Sequence, residues 1–211
     1  MIGPSGSGKG TQARLLIDRL GFEYIEMGKI LREEAKKNTE LGKFINKTIM
    51  VEGRLLPDDI ASQLLIKKIN QLDQNKKIII DGYPRTLDQV WDLDKILKKL
   101  GKSNIRVLNI IVPEEVTIER LSKRLVCKDC KNNYKENGLK EGGACPACGG
   151  GLFRREDDAL SKVKERLEWA RKKVVPVAKE YKARGILRDI NGEQELEKVY
   201  NDIIEYINPY V

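Results

Sequence analysis

The chain has 211 residues, carries a net charge of +8 and contains no histidine. The length suffices for one substantial hydrophobic core with small insertions, and the missing histidine excludes histidine acid–base catalysis and histidine metal ligands. Because no apolar run is long enough to span a membrane and no signal-peptide pattern opens the chain, we expect a cytoplasmic protein.

The first predicted element is a phosphate-binding loop in the glycine-rich stretch GPSGSGKGTQ, residues 3–12. Glycines allow the positive φ angles with which successive backbone N–H groups point at one anion. Lys9 lies where a P-loop lysine reaches the outer phosphates of a nucleotide, and a helix is predicted from residue 9 to residue 20. The hydroxyl that would contact Mg²⁺ comes one position late, on Thr11. The predicted phosphate ligands are Gly6, Ser7, Gly8, Lys9, Gly10 and Thr11.

Buried strands are predicted from four apolar runs, at residues 22–25, 77–80, 105–112 and 187–190. Only Met1 and Ile2 precede the loop, so the strand that normally leads into it is expected to be stunted or to begin upstream of the given sequence. With this short strand the sheet has five members.

Helices are predicted between these strands from apolar stripes at helical spacing. They begin after the loop, after Pro57, near residue 93, after Pro113, near residue 159 and near residue 196. Pro176 is expected to kink or divide the fifth of them. The alternation of strands and helices predicts an α/β fold whose parallel sheet binds ligands at the carboxyl ends of its strands.

Asp81 ends the second apolar run and opens the segment DGYPR. A carboxylate at this sheet edge can hold Mg²⁺ or its water ligands opposite the phosphate loop. An ordinary helix-capping turn is the alternative interpretation of Asp81, but it leaves Arg85 unexplained.

All four cysteines fall in one short stretch as two C-x-x-C pairs, Cys127, Cys130, Cys145 and Cys148. Four thiolates at this spacing suit a structural Zn²⁺ site without an open ligand position. Disulfides are the alternative, which a cytoplasmic setting disfavours. The polar, glycine-rich residues between the pairs could not bury a core, so the metal would replace one.

Arginines flank the cysteine segment on both sides. Arg120 and Arg124 are one helical turn apart and are expected to share a helix face, and Arg155 follows the segment. Arg154 is expected to form an ordinary surface salt bridge. Cations at both ends of such a flap are placed to converge when it closes.

Four segments, GPSGSGKGTQ, DGYPRTLDQ, ERLSKRLVC and RREDD followed by VKERL, together resemble the signature set of adenylate kinases. The cysteine segment is similar to the lid of the zinc-containing bacterial members. The resemblance implies a P-loop nucleoside monophosphate kinase fold, with a parallel five-stranded sheet wrapped by helices and a zinc-binding lid insertion. It implies a core of residues 1–25, 57–122 and 158–211, an acceptor-binding segment of residues 26–56, and a lid of residues 123–157.

The resemblance also implies the reaction, MgATP plus AMP giving two ADP, and two metals, Mg²⁺ with ATP and structural Zn²⁺. The implied catalytic cations are Lys9, Arg85, Arg124, Arg155 and Arg166. Arg120 is implied near ATP, and the implied AMP ligands are Arg32, Arg54, Leu56, Gly82, Arg85 and Gln89, with Thr86 beside Gln89. Asp81 is implied at Mg²⁺, and Asp157 and Asp158 at the arginines or hydrated Mg²⁺. Phosphoryl transfer needs positioned cations more than a general base, so a chain without histidine suits it.

The acceptor segment departs from the family pattern, because Met27-Gly28-Lys29 replaces the usual Thr-Gly-Asp. A kinase that prefers UMP or CMP is therefore one alternative, and Gln89 argues against it. A zinc-ribbon nucleic-acid-binding protein with a P-loop is another, favoured by the net charge, but it leaves the arginines without a role. An inactive scaffold is a third. We expect a monomer that binds ATP and AMP, neither nucleic acid nor membrane.

Overall fold

The central parallel sheet is assembled from two strand pairs with the chain start between them. The computed structural model describes residues 1–52, 56–73 and 75–208. Strand β1 (Glu23–Glu26) pairs with β2 (Ile78–Asp81), and β3 (Val107–Ile111) pairs with a later strand, Leu187–Asn191.

The start of the chain joins the two pairs into one sheet. The Met1 amino group donates to the Ile80 carbonyl at 2.6 Å, and the Ile2 N–H donates to the Leu108 carbonyl at 2.8 Å. The Ile110 N–H donates to the Ile2 carbonyl at 3.0 Å. Ile2 also forms a single parallel bridge with Asn109. The predicted α/β fold with parallel strands is therefore confirmed.

Side chains alternate between the two faces of the sheet along each strand, and the strands are apolar on both faces. Helices therefore cover both faces of this sheet. On one face Ile79, Leu108 and Ile110 pack with α1 (Lys9–Leu20) and the last helix, Leu196–Ile207. On the other face lie α4 (Asp58–Ile69), α5 (Leu87–Lys99) and a long helix, Leu160–Ala183. The remaining helices are α2 (Met27–Glu34), α3 (Glu40–Ile45), a π-helix (Asn46–Val51), α6 (Glu114–Ser122) and a 3₁₀ turn (Glu156–Asp158). In chain order the long helix is α7 and the last is α8.

Pro176 lies inside α7 and does not divide it, so of the two expectations for this proline the division is wrong and the kink stays a prediction. The helix is packed on both sides of the proline, by Val163 and Leu167 before it and by Val177 and Tyr181 after it. Burial of these four side chains offsets the hydrogen bond that the proline cannot donate.

The cysteine segment forms a small antiparallel sheet on the side of the core. Its strands are β4 (Arg124–Cys127), β5 (Asn133–Lys135) and β6 (Leu152–Phe153), in the order β5-β4-β6. Because α6 ends at Ser122, Arg124 lies on β4, and the expectation that it shares a helix face with Arg120 is wrong. Leu125 and Leu152 pack with two of the cysteines in a separate small core. Strand Leu187–Asn191 is thus β7.

No helix in the described part of the chain is both long enough and apolar enough to cross a membrane.

Candidate active site

The phosphate loop connects the chain start to α1 and is shaped by close backbone contacts. Gly3, with φ 131°, could not carry a side chain, because a Cβ atom there would lie 2.4 Å from the Ile110 carbonyl oxygen. A Cβ atom at Gly6 would lie 3.0 Å from Leu121. The loop is therefore held against β3 and α6, which fixes where its N–H groups can point.

The Lys9 side chain is held inside this loop. Its ammonium group donates to the carbonyls of Gly3 at 3.0 Å and Pro4 at 2.8 Å. Burial lowers the pKa of Lys9, and the Asp81 carboxylate opposes that shift. The guanidinium groups of Arg85, Arg166 and Arg124 lower the pKa of Lys9 further. These four cations thus act on one another electrostatically.

Asp81 is the last residue of β2 and is 7% exposed. Its Oδ2 accepts a hydrogen bond from the Tyr24 hydroxyl at 3.0 Å, whereas its buried Oδ1 has no partner within the described ranges. Burial, reinforced by Asp81, raises the pKa of Tyr24 far above its usual value. An unsatisfied buried carboxylate oxygen beside a phosphate loop fits a Mg²⁺ ion or one of its water ligands.

Two of the predicted arginines are oriented by the acidic residues of the 3₁₀ turn. Arg124 forms a two-point ion pair with Asp158, with Nε–Oδ2 at 2.8 Å and Nη2–Oδ1 at 2.5 Å. Arg166 donates to the Asp157 carbonyl at 2.6 Å. Asp158 is buried and does not line the cleft, so its position suits orienting arginines more than contacting a ligand.

Arg155 is placed differently. Its guanidinium has no hydrogen-bonding partner among residues 1–52, 56–73 and 75–208. Its pKa is lowered to about 10, first by burial and then by the charges of Arg124 and Arg32. Arg154, by contrast, forms the predicted surface salt bridge, with Glu136 at 2.5 Å.

On the acceptor side, Arg32 of α2 pairs with Glu26 at 2.8 Å. Arg85 donates from Nε to the Gly82 carbonyl at 2.8 Å, and burial lowers its pKa. Gln89 of α5 is 3% exposed, and Leu56 is a buried residue of the hydrophobic core. Arg54 lies outside the described residues.

Most of the predicted residues line one continuous cleft of about 1370 Å³. The phosphate loop borders the cleft with Gly6, Ser7, Gly8, Lys9, Gly10 and Thr11. The other predicted site residues that line it are Arg32, Leu56, Asp81, Gly82, Arg85, Gln89, Arg120, Arg124, Arg155, Asp157 and Arg166. Arg120 also donates to the Gly192 carbonyl at 2.9 Å. The cleft therefore combines a phosphate loop with an unusual density of arginines.

The four cysteine sulfurs form a compact cluster in which all lie within 4.8 Å of one another. The Cys127–Cys148 and Cys130–Cys145 sulfur distances are 3.5 and 3.6 Å. A disulfide needs about 2.05 Å, so all four are free thiols here. The cluster can hold a metal ion.

Comparison with known proteins decides the family. A sequence model described as adenylate kinase matches residues 1–186. The chain belongs to the adenylate kinase family. It is 38% identical to an adenylate kinase of Archaeoglobus fulgidus over 96% of this chain and 94% of that protein. It is 40% identical to an adenylate kinase of Methanosarcina acetivorans, with the same coverage. An adenylate kinase of Symbiobacterium thermophilum is 38% identical over 98% of this chain and 96% of that protein.

Membership of the adenylate kinase family confirms the predicted fold class and the kinase resemblance, but the structure also shows contacts that sequence reasoning missed. Three hydrogen bonds were not predicted. They run from Tyr24 to Asp81, from Arg32 to Glu26 and from Gln89 to Asp58. For Tyr24 the sequence predicted only that its strand and the strand ending at Asp81 belong to one parallel sheet, not that the two strands are neighbours. For Glu26 and Asp58 the sequence carried no comparable signal.

Proposed function

We propose that this member of the adenylate kinase family transfers the terminal phosphoryl group of MgATP to AMP, giving two ADP. The observation that carries the proposal is the convergence of Lys9, Arg85, Arg124, Arg155 and Arg166 on the cleft beside the phosphate loop. In phosphoryl transfer the developing charge lies on peripheral oxygens, so several positioned cations supply most of the stabilisation.

On the donor side, the loop N–H groups and Lys9 bind the ATP phosphates. The Lys9 ammonium exchanges its bonds to the Gly3 and Pro4 carbonyls for bonds to phosphate oxygens. Mg²⁺ would supply charge neutralisation at the phosphates, and Oδ1 of Asp81, which has no partner in the described residues, would hold the ion or one of its water ligands. The Tyr24 hydroxyl holds the other carboxylate oxygen of Asp81 in place.

At the reacting phosphoryl group, Arg124 and Arg166 enter already oriented by Asp158 and Asp157. This pre-arrangement reduces the reorganisation that each cation would otherwise need during the reaction. Arg155 has no such partner in the part of the chain that the structure describes, so a phosphate oxygen is the group that would satisfy it. Closure of the lid over the cleft would also exclude water, which would otherwise accept the phosphoryl group.

On the acceptor side, Arg32 and Arg85 bind the AMP phosphate and Gln89 recognises the adenine. Arg32 must first exchange its ion pair with Glu26 for one with the phosphate. Met27, which replaces the family threonine, is 2% exposed and packs in the core of this segment. The base is therefore recognised by Gln89 and its neighbours.

The cysteine cluster of the lid holds structural Zn²⁺ in this proposal. Four sulfurs bound to zinc at about 2.3 Å are separated by about 3.8 Å, close to the 3.5 and 3.6 Å found between the sulfur pairs. We further propose that the protein works as a monomer in the cytoplasm.

The reverse reaction tests the proposed function directly. Purified protein given MgADP as its only nucleotide should produce equal amounts of ATP and AMP, measured by chromatography. A kinase that requires UMP or CMP as its acceptor would leave MgADP unchanged, and so would a scaffold protein. Either result would overturn the proposed reaction.

A further inference from the structure

The Gln89 carboxamide, on the acceptor side of the cleft, is held from two directions. Its Oε1 accepts a hydrogen bond from the Arg85 backbone N–H at 2.7 Å. Its Nε2 donates to Oδ1 of Asp58 at 2.7 Å. Gln89 is 3% exposed, so these two bonds are largely shielded from water. The Arg85 backbone offers a donor, and the Asp58 carboxylate offers only acceptors. If the amide flipped, its N–H group would face the Arg85 N–H and its oxygen would face the Asp58 carboxylate, so both hydrogen bonds would be lost.

Asp58 is itself well placed to act as a fixed acceptor. It is the first residue of α4, while Gln89 lies in the first turn of α5. Its second carboxylate oxygen, Oδ2, accepts a hydrogen bond from the Thr86 hydroxyl at 2.9 Å. That hydroxyl also caps α5 by accepting from the Gln89 N–H at 3.2 Å. Both carboxylate oxygens are therefore bound to the turn that carries Gln89.

The orientation of the amide matters because a glutamine side chain has two N–H donors and two acceptor lone pairs. One of each is used by Asp58 and Arg85, which leaves one N–H and one lone pair for a base. Adenine presents an acceptor at N1 beside a donor at N6, which a glutamine amide can match with two hydrogen bonds. Hypoxanthine presents a donor at N1 beside an acceptor at O6, which is the reverse order. Only a flipped amide would match it.

We propose that Asp58 determines the choice of purine by fixing the orientation of the Gln89 carboxamide, so that the site accepts a 6-aminopurine and rejects a 6-oxopurine. Asp58 is a positioning residue here, since it acts through Gln89 and need not touch the nucleotide. The inference rests on the proposed function in one respect, namely that the acceptor is a purine nucleoside monophosphate beside Gln89.

Asp58→Asn is the sharpest variant, because it keeps the shape of the side chain but removes the obligatory acceptor. An asparagine amide can accept from Gln89 through oxygen or donate to it through nitrogen, so both orientations of Gln89 become compatible with position 58. Asp58→Ala is the second variant. Asp59→Asn is the matched control, because it removes the same charge from the next residue of α4, whose side chain is exposed.

The measurement is the dissociation constant of AMP and of IMP for each protein by titration calorimetry, without ATP. Wild-type protein and Asp59→Asn should prefer AMP strongly. In Asp58→Asn and Asp58→Ala the AMP preference should fall by about tenfold or more, the value of a hydrogen bond to a charged group. A merely structural role would weaken both nucleotides alike and leave the ratio unchanged.

An unchanged ratio in the folded Asp58→Asn protein would overturn the inference, as would wild-type protein that binds IMP as tightly as AMP. Binding does not require turnover, so this result is independent of the MgADP experiment. A protein that showed the selectivity change but no ATP formation from MgADP would retain the role of Asp58 and lose the proposed reaction.

Discussion

At the level of single residues, the site concentrates positive charge in the cleft, and one of its cations, Arg155, has no hydrogen-bonding partner in the described part of the chain. Burial is the largest cause of the lowered pKa values of Lys9, Arg85 and Arg155. Burying a cation without a full set of partners costs free energy. The phosphates of two nucleotides would supply the missing partners, so the same feature that destabilises the empty site favours ligand binding.

Arg85 gives the first prediction. Arg85→Ala should lower kcat/KM at least about a hundredfold, because a cation aimed at transferring phosphate oxygens acts most strongly in the transition state. The melting temperature should change little, because burial of the charged guanidinium is itself unfavourable and offsets the contacts that the variant loses. Steady-state ADP formation measures the first effect and calorimetry the second.

Arg171→Ala is the control for that experiment, because Arg171 is an exposed arginine of α7 that pairs with Glu114. It should retain wild-type kinetics. Wild-type turnover in Arg85→Ala would contradict the role assigned to Arg85.

Arg155 gives the second prediction. Arg155→Met should raise the melting temperature of the ligand-free protein by about 2 °C while lowering kcat at least about tenfold. The folded-state pKa of about 10 lies below the usual value for arginine, so the charged form is penalised in the folded protein. That penalty is complete at neutral pH and is relieved only as the pH rises through about 10.

The gain in melting temperature from Arg155→Met should therefore be constant from about pH 6 to about pH 9. Scanning calorimetry across that range provides the measurement. A lower melting temperature in the variant would show that Arg155 makes a net stabilising contact in the empty protein.

At the level of elements, the lid has little apolar material of its own. Leu125, Leu152, Cys127 and Cys145 form its buried cluster, and two partly buried side chains pack against them. A core this small does not offset the entropy of ordering the segment, so the lid should depend on its metal.

The third prediction concerns that metal. The purified protein should contain one zinc per chain by mass spectrometry, and a strong chelator should lower the melting temperature by about 5 °C or more. Readdition of Zn²⁺ to the reduced protein should restore the melting temperature, which would show that the chelator did not damage the protein irreversibly. Metal-free protein with an unchanged melting temperature, or with disulfides in place of thiols, would refute the site.

The elements also show what the sequence could predict. Helix α1 begins and ends at the predicted residues, since Gly8 and Gly21 flank it with positive φ angles. Strand β1 begins one residue later than predicted, at Glu23. These features depend on local signals, namely glycine positions and apolar runs.

The contacts that escaped prediction join residues far apart in the chain. Tyr24 and Asp81 are separated by 57 positions, and Asp58 and Gln89 by 31. Strand pairing and helix packing bring them together, and no local pattern encodes which hydroxyl or carboxylate will meet. Likewise, the C-terminal end of α6 at Ser122 was missed, because the helical spacing of Arg120 and Arg124 continues beyond the residue where the helix stops.

At the level of the whole molecule, the cleft lies between three parts of the chain: the phosphate loop, the segment of residues 26–49, and the cysteine segment with its flanking arginines. The cysteine segment also contacts the core away from its two ends, since Arg14 of α1 donates to the Lys131 carbonyl at 3.2 Å. Both nucleotides would thus be enclosed by parts of the chain that are distant in sequence. Under the proposed function, this arrangement would couple catalysis to the presence of both substrates.

The most direct test of this account is ADP formation from MgATP with AMP, UMP, CMP, GMP or no acceptor, measured in parallel. We predict rapid transfer to AMP, and a rate with no acceptor that is at least about a hundredfold lower because the closed site excludes water. Transfer to UMP or CMP as fast as to AMP would contradict the role of Gln89. Equal ADP formation with and without AMP would contradict the account as a whole.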